Sequence, residues 1–280
     1  MTAARDVDEP ALPSGEGGLV RLRIDVSYDG TDFSGWARQP GRRTVQETLA
    51  TAIATVLRLD GPPSLTVAGR TDAGVHATGQ VAHVDLAAEV DPQQLRRRLA
   101  GVLPDDVGVT DVRLAAAGFD ARFSATGRHY RYRVADRTAD PLRRHDTVAW
   151  KRPLDEIAMH EAAQGLVGEH DFAAYCRPRD GATTIRTLRS LVVTRDADAV
   201  VIAAHADAFC HNQVRAMVGA LLAVGDGRKP TDWPAIVLRA GVRDSAVNVA
   251  PPHGLTLTAV DYPADAELAA QALRTRQRRT

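Results

Sequence analysis

The sequence has few of the residues that define disulfide-rich, metal-binding or membrane-spanning proteins. Only 2 of its 280 residues are cysteine, and neither Cys176 nor Cys210 has a partner at the spacing of metal-ligand motifs. We therefore expect two ordinary thiols, no disulfide framework and no bound metal. No apolar run approaches the roughly 20 residues of a membrane-spanning helix, so the sequence predicts no membrane partner.

Lysine is also scarce, and the formal net charge is zero. All of the 35 basic residues except Lys151 and Lys229 are arginine, and 35 acidic residues balance them. Zero net charge argues against a nucleic-acid partner, but arginine is the residue best suited to bidentate phosphate contacts and to stacking on bases. The local arginine clusters are therefore either phosphate contacts or solvated faces and helix ends: Arg42-Arg43, Arg96-Arg97-Arg98, Arg143-Arg144 and Arg274 to Arg279.

The sequence predicts a leader, two lobes and a C-terminal tail. Residues 1–18 are rich in acidic residues, proline and glycine and lack the apolar core of a signal peptide. We expect a disordered leader there and a cytoplasmic protein. The Pro- and Gly-marked stretch 101–118 predicts the divide between an N-terminal lobe, 19–114, and a C-terminal lobe, 115–264. Residues 265–280 predict a helix that frays into a basic tail.

Strand and helix patterns are interleaved without a strict βαβ order. Residues 19–27 alternate apolar and polar side chains, which is typical of a half-buried strand. Residues 44–57 carry an apolar face at helical spacing, and Thr44 and Glu47 stand at capping-box spacing. This mixed order favours an α+β fold over a doubly wound one. Further strands are predicted at 65–68, 80–86, 128–134, 187–194, 200–206 and 254–260, and further helices at 91–99, 153–166, 211–224 and 233–239.

The most informative segment is Ala-Gly-Arg-Thr-Asp-Ala-Gly-Val-His at 68–76, at the end of a predicted strand. Its glycines let the backbone turn sharply and let a ligand approach the carboxylate of Asp72. Arg70 favours the charged form of that carboxylate and is a candidate phosphate anchor. His76 is a candidate acid, base or RNA contact. The same string is also typical of an ordinary β-turn, so these residues alone leave both interpretations open.

Two other segments carry candidate functional side chains. Arg-His-Tyr-Arg-Tyr-Arg at 128–133 places rings, including that of Tyr130, on one face of a strand and charges on the other. RNA recognition uses that mixture, since rings stack on unpaired bases and arginines bind phosphates. A half-buried strand whose arginines extend to solvent gives the same pattern. Arg215 lies on the apolar helix predicted at 211–224, where it either pairs with a buried carboxylate or lies exposed.

Together these segments resemble the TruA family of tRNA pseudouridine synthases. The likeness spans nearly the whole chain after the leader, and Gly-Arg-Thr-Asp-Ala-Gly-Val-His at 69–76 is its most specific part. Two positions depart from the family pattern: Ala37 stands where glutamine is frequent, and Asp120 where histidine is frequent. The other matching segments are 28–36 (Tyr-Asp-Gly-Thr-Asp-Phe-Ser-Gly-Trp), 44–46 (Thr-Val-Gln), 123–126 (Phe-Ser-Ala-Thr), 130–132 (Tyr-Arg-Tyr), 168–172 (Gly-Glu-His-Asp-Phe), 214–215 (Val-Arg) and 254–257 (Gly-Leu-Thr-Leu).

The resemblance implies a fold, a reaction and partners. The fold is a mixed, mostly antiparallel sheet flanked by helices, built as two similar lobes with a central cleft. The reaction converts uridine to pseudouridine at positions 38, 39 and 40 in the anticodon stem-loop of tRNA. It needs no cofactor and no metal, and the family acts as a homodimer.

The resemblance also implies roles for particular residues. Asp72 matches the essential aspartate, which acts as nucleophile or base, and Arg215 matches the basic residue that keeps it ionised. Tyr130 matches the tyrosine that stacks on the target base and helps to remove its C5 proton. Leu255 matches the apolar residue on the other face of the base. Arg70 matches the arginine that holds the flipped-out uridine, and His76 is expected to contact substrate as well.

Two other functions compete with this one. A protein that kept the fold and lost catalysis would still bind RNA, but the joint presence of Asp72, Tyr130 and Arg215 argues against it. An aspartate-nucleophile phosphatase needs a second carboxylate two residues after the nucleophile to hold Mg²⁺. Gly74 occupies that position, so the phosphatase is excluded.

Overall fold

The computed structural model describes residues 18–177 and 183–277. The predicted leader, apart from Gly18, and the last three residues of the predicted tail lie outside the described residues. None of the described helices is both long and apolar enough to cross a membrane. The strands are β1 (Leu19–Tyr28), β2 (Thr66–Val67), β3 (His76–Ala87), β4 (Val107–Leu114), β5 (Gly127–Ala135), β6 (Val148–Ala149), β7 (Gly168–Asp171), β8 (Ile185–Asp196), β9 (Ala199–Ala206) and β10 (Leu255–Asp261). The helices are α1 (Val45–Leu57), α2 (Pro92–Leu99), α3 (Glu156–Gln164), α4 (Gln213–Gly225), α5 (Trp233–Ala240) and α6 (Leu268–Gln277).

All the described strands belong to one sheet. Their order is β4-β1-β3-β10-β5-β9-β8-β7, with β2 beside β3 and β6 beside β5. Neighbours run antiparallel except for the pairs β3–β10 and β5–β6, which are parallel. The predicted α+β fold with a mixed, mostly antiparallel sheet is therefore confirmed.

Side-chain caps explain where the predicted helices begin. The hydroxyl of Thr44 accepts a hydrogen bond from the Glu47 backbone N–H, so α1 begins at Val45. Asp91 and Asp155 cap α2 and α3 in the same way. Each cap satisfies backbone donors that the first turn of a helix leaves without partners.

Besides a small cluster that includes Val81 and Leu268, two large apolar clusters fill the space between the sheet and its helices. One joins α1 and α2 to β1, β3 and β4, and the other joins α3, α4 and α5 to β5, β8 and β9. Tyr130 is partly buried against both, so the clusters meet at the centre of the sheet. The sheet itself runs unbroken from one cluster to the other, and the lobes proposed at 19–114 and 115–264 stay a prediction.

The expectation of two ordinary thiols was wrong. Cys176 and Cys210 are joined as a disulfide, with Cα atoms 5.7 Å apart and a sequence separation of 34. The topology explains the pairing. Since β7 and β9 both pair antiparallel with β8, they run in the same direction and end at the same side of the sheet. The segments that follow them, which carry the two cysteines, therefore meet there.

Candidate active site

Asp72 lies on the loop between β2 and β3, and the segment 28–36 holds that loop in place. The hydroxyl groups of Tyr28 and Thr71 lie 2.8 Å apart, and the Trp36 backbone N–H donates to the Thr71 carbonyl at 3.0 Å. Gly35 has a φ of +94°, and a Cβ there would lie 2.8 Å from the same carbonyl oxygen. Glycine is therefore needed where this segment approaches the loop.

An arginine and a histidine face the carboxylate. Nη1 of Arg215 lies 3.7 Å from Oδ2 of Asp72, and Nε2 of His211 lies 3.4 Å from Oδ1. The Asp72 side chain is 34% exposed, against 16% for Arg215, so the carboxylate is both paired and reachable from solvent. Burial lowers the pKa of Arg215 from its ordinary value, and Asp72 opposes that shift.

Arg215 is fixed at the start of α4 by the backbone. Its Nε donates to the Ala250 carbonyl at 2.7 Å, and the Ala250 backbone N–H donates to the Arg215 carbonyl at 3.0 Å. These bonds aim the rest of the guanidinium at the Asp72 loop. The structure therefore brings together the aspartate and the arginine that the sequence paired.

Tyr130 and Leu255 lie on the same face of neighbouring strands. Leu255 pairs with Tyr132, and Leu257 pairs with Tyr130, across β10 and β5. Residues directly opposite each other in an antiparallel pair share a face, so Tyr130 and Leu255 are diagonal neighbours. The ring of Phe209 packs edge-on against Tyr130, with centroids 5.3 Å apart. Burial raises the pKa of the Tyr130 phenol, and Tyr28 and Asp72 shift it in the same direction, so the phenol is neutral at physiological pH.

Arg70 and His76 differ in how they are placed on the two sides of Asp72. Arg70 is exposed, and within the described part of the chain its side chain makes no hydrogen bond or ion pair. His76 is 6% exposed. Its Nδ1 accepts from the Gly30 backbone N–H at 2.9 Å, and its Nε2 lies 3.0 Å from the His253 carbonyl oxygen. Both nitrogens of His76 are thus engaged within the protein, and its contact with RNA stays a prediction.

The sequence interpretation assigned no role to His211, Phe209 or Arg128, all of which bear on the site. A signal existed for His211, because the helix predicted at 211–224 would place it on the same face as Arg215, four residues later; in the structure it lies just before that helix. Arg128 is 6% exposed. It donates to the Ala68 and Asp207 carbonyl oxygens at 2.8 Å, which ties the strand before the Asp72 loop to the segment that carries Phe209 and His211.

A histidine pair lies on the opposite face of β5. The Nε2 atoms of His129 and His205 lie 2.8 and 3.1 Å from Oδ2 of Asp261. The two rings stack at 3.9 Å with an interplanar angle of 15°, and both Nε2 atoms lie against the same carboxylate oxygen. The three side chains thus form a compact group whose ligand atoms all lie within 4.8 Å of one another.

Comparison with known proteins identifies the family. The chain matches the profile described as tRNA pseudouridine synthase over residues 25–124 and 162–263. The tRNA pseudouridine synthase A of Frankia casuarinae is 63% identical over 262 residues, which span 92% of this chain and 95% of its own. The proteins of that name from Streptomyces griseus and Mycobacterium leprae are 59% and 48% identical over 95% and 93% of this chain, and each match spans 96% of its own length. This chain belongs to the tRNA pseudouridine synthase family.

The similarity to solved structures is weaker. A crystal structure of the archaeal box H/ACA sRNP Nop10–Cbf5 complex is 12% identical, with a TM-score of 0.31 over 72% of this chain and 44% of that one. A likeness of this size carries no argument about function.

Proposed function

We propose that this protein converts uridine to pseudouridine at positions 38, 39 and 40 of tRNA, in the anticodon stem-loop. Relatives from 48% to 63% identical that carry the name tRNA pseudouridine synthase A support the reaction. The observation that carries the proposal is the Asp72 carboxylate, which lies on a glycine-containing loop and is faced by Arg215 at 3.7 Å.

Asp72 is the proposed catalytic group. In the reaction the N1–C1′ bond breaks, the base rotates, C5 bonds to C1′, and a proton leaves C5 while N1 gains one. A carboxylate assists as nucleophile or as base. Both routes need the charged form, which the cationic Arg215 stabilises from its fixed position.

Tyr130 and Leu255 are the proposed contacts of the target base. An aromatic ring and a leucine on one face of the sheet offer stacking and apolar contact to an unpaired base, which is how proteins hold flipped nucleotides. Because the Tyr130 phenol is neutral, it can help to remove the C5 proton as a relay but not as a standing phenolate.

Arg70 is the proposed residue that holds the target out of its helix. Its guanidinium is exposed beside Asp72 and is available for phosphate or for the gap that the base leaves. Flipping costs a few kcal/mol of lost stacking, which such contacts offset. His76 contributes by fixing the end of the Asp72 loop to Gly30 and His253.

The remaining properties follow from the reaction and the family. Uridine and pseudouridine are isomers, so the balanced reaction requires no redox or group-donating cofactor. We propose that the protein acts on tRNA in the cytoplasm as a homodimer of two-lobed subunits, each with a central cleft. Light scattering on the purified protein tests the dimer, and a monomer mass at micromolar concentration would contradict it.

The target positions are tested with tRNA labelled with tritium at C5 of uridine. Formation of the new C5–C1′ bond releases the label into water. We expect release from transcripts that carry uridine at 38, 39 or 40 alone and none when all three are replaced by cytidine. Undiminished release from the triple replacement would overturn the assignment. Tight tRNA binding without any release would instead favour an inactive RNA-binding protein of the same fold.

A further inference from the structure

The Cys176–Cys210 disulfide lies next to the proposed catalytic residues. Cys210 is preceded by Phe209, whose ring contacts Tyr130, and is followed by His211, whose Nε2 lies 3.4 Å from Asp72. The cross-link therefore anchors a segment that contacts both the catalytic carboxylate and the aromatic ring of the site.

Most of the other hydrogen bonds that hold the segment 207–212 lie at its two ends, where Asp207 is bonded to Thr187 and Arg128 and Cys210 is bonded to Gln213. The segment lies between β9 and α4 without regular structure, and Asn212 adopts a left-handed φ of 66°. The Arg177 backbone N–H donates to the His211 carbonyl at 2.9 Å, directly beside the disulfide. Helix α4, by contrast, is buried along most of its length. Loss of the cross-link would thus loosen Phe209 and His211 while Arg215 keeps its bonds to Ala250.

The two cysteines differ in solvent exposure. Cys176 is 1% exposed, whereas Cys210 is only partly buried. An incoming thiolate therefore reaches Cys210 first. Cationic neighbours favour thiolates, and here Arg177 follows Cys176.

We propose that Cys176 and Cys210 form a reversible redox site that controls the order of the 207–212 segment. The proposal rests on the proposed function of the Asp72 site. In reducing compartments, protein disulfides are usually transient or redox-sensing rather than structural. The oxidised pair holds Phe209 and His211 against the site, and the reduced pair releases them.

The exchange needs a thiol reductant, and either a dithiol or two molecules of a monothiol such as glutathione supply its two steps. In the dithiol route, one thiolate of the dithiol attacks Sγ of Cys210, the S–S bond breaks, and its electron pair leaves with Cys176, which takes up a proton. The second thiol of the reductant then displaces Cys210, which is protonated in turn. Two electrons and two protons have passed to the cysteine pair, and the reductant ends as a disulfide.

The test compares the oxidised and reduced forms of the full-length protein. Alkylation followed by mass spectrometry counts free thiols after equilibration in glutathione buffers, with dithiothreitol and diamide as the two extremes. Tritium release from labelled tRNA is then measured for each form. We expect none of the 2 cysteines to be alkylated in the oxidised form and both in the reduced form. We also expect kcat/KM to fall about tenfold on reduction, because two side chains lose their fixed positions.

Cys176→Ser and Cys210→Ser are the matched variants. Each is expected to show the lower rate under both conditions and no response to the reductant. Equal rates for oxidised and reduced wild-type protein, or thiols that stay free in diamide, would overturn the redox site. A wild-type protein that forms the disulfide but releases no tritium in either form would contradict the proposed function instead.

Discussion

Two side chains, those of Arg215 and His211, lie beside the Asp72 carboxylate and are held in different ways. Arg215 is fixed by two backbone hydrogen bonds to Ala250, whereas His211 lies in the irregular segment before α4. The backbone therefore fixes the position of Arg215 beside the carboxylate, whereas the position of His211 depends on the conformation of the irregular segment before α4.

We expect Arg215→Lys to slow tritium release about 100-fold, because lysine keeps the charge but lacks the planar fork that binds Ala250 and faces Asp72 at once. Affinity for tRNA, measured by filter binding, is expected to stay within about twofold. Arg143→Lys is the control, since Arg143 pairs with Asp146 on the surface. A release rate for Arg215→Lys that matches this control would contradict the positioning of the guanidinium.

Arg70 makes no ion pair in the described residues, and its charge is therefore free for phosphate. We expect the affinity for tRNA to fall steeply as KCl rises from about 50 to 300 mM. Arg70→Ala is expected to reduce the slope of log Kd against log salt by about one. Arg113→Ala, which removes a charge already paired with Asp25 and Asp111, should leave the slope unchanged. An unchanged slope for Arg70→Ala would remove this residue from the phosphate contacts.

At the scale of elements, the Asp72 loop depends on its fit against the segment 28–36. A Cβ built on Gly30 would overlap the Val75 carbonyl oxygen, so the two backbones touch at this point. The loop ends one residue later at β3, which begins beside β10. A displacement of the backbone at Gly30 would therefore also move the Asp72 carboxylate.

We expect Gly30→Ala to fold but to lose about 100-fold in tritium release, because displacement of a catalytic group by about 1 Å has that effect. Its melting temperature is also expected to fall. Gly61→Ala is the matched control, since a Cβ there meets nothing within 4 Å. A Gly30→Ala variant with the rate of Gly61→Ala would show that the loop does not depend on this contact.

Strands and helices with a clear periodic pattern of apolar residues could be predicted from the sequence. Features that depend on contacts between distant parts of the chain could not. Leu19–Tyr28 and Val45–Leu57 were found because alternation and helical spacing are local patterns. The edge strand Val107–Leu114 was missed, since its burial alternates only weakly and it lies within the stretch interpreted as a lobe divide. The Cys176–Cys210 pairing was missed for a related reason, because only the parallel course of β7 and β9 brings these residues together.

The candidate site was likewise predictable only in part from the sequence. The glycines and the carboxylate of 69–76 carry a sequence signal, and the pairing of Asp72 with Arg215 followed from the family resemblance. The engagement of both nitrogens of His76 could not be predicted, because its partners Gly30 and His253 come from opposite ends of the chain.

At the scale of the whole molecule, a buried histidine links stability to pH. Burial, with Arg21 as a further cause, lowers the pKa of His83 to about 4 from its ordinary 6.5. Its Nδ1 accepts from the Ala121 backbone N–H at 3.0 Å, which only the neutral ring can do. The folded state thus favours neutral His83. The stability it contributes is complete above pH 6.5 and is lost as the pH falls towards 4.

We expect the free energy of unfolding to fall by up to about 1.4 kcal/mol per pH unit from this group between pH 6.5 and 4. Urea unfolding at several pH values measures it. His83→Asn is the control, because its side-chain oxygen can accept from Ala121 and cannot titrate in this range. A pH dependence in His83→Asn as steep as in the wild type would show that His83 is not the source.

Asp72 is the proposed catalytic group of this tRNA pseudouridine synthase. Asp72→Asn keeps the size of the side chain and removes its charge, and Asp60→Asn makes the same change on an exposed loop. Tritium release from 5-tritiated tRNA, measured with enzyme in excess, tests the claim most directly. We expect no detectable release from Asp72→Asn, tRNA affinity within about twofold of the wild type, and normal release from Asp60→Asn. Release from Asp72→Asn at the wild-type rate would contradict the account.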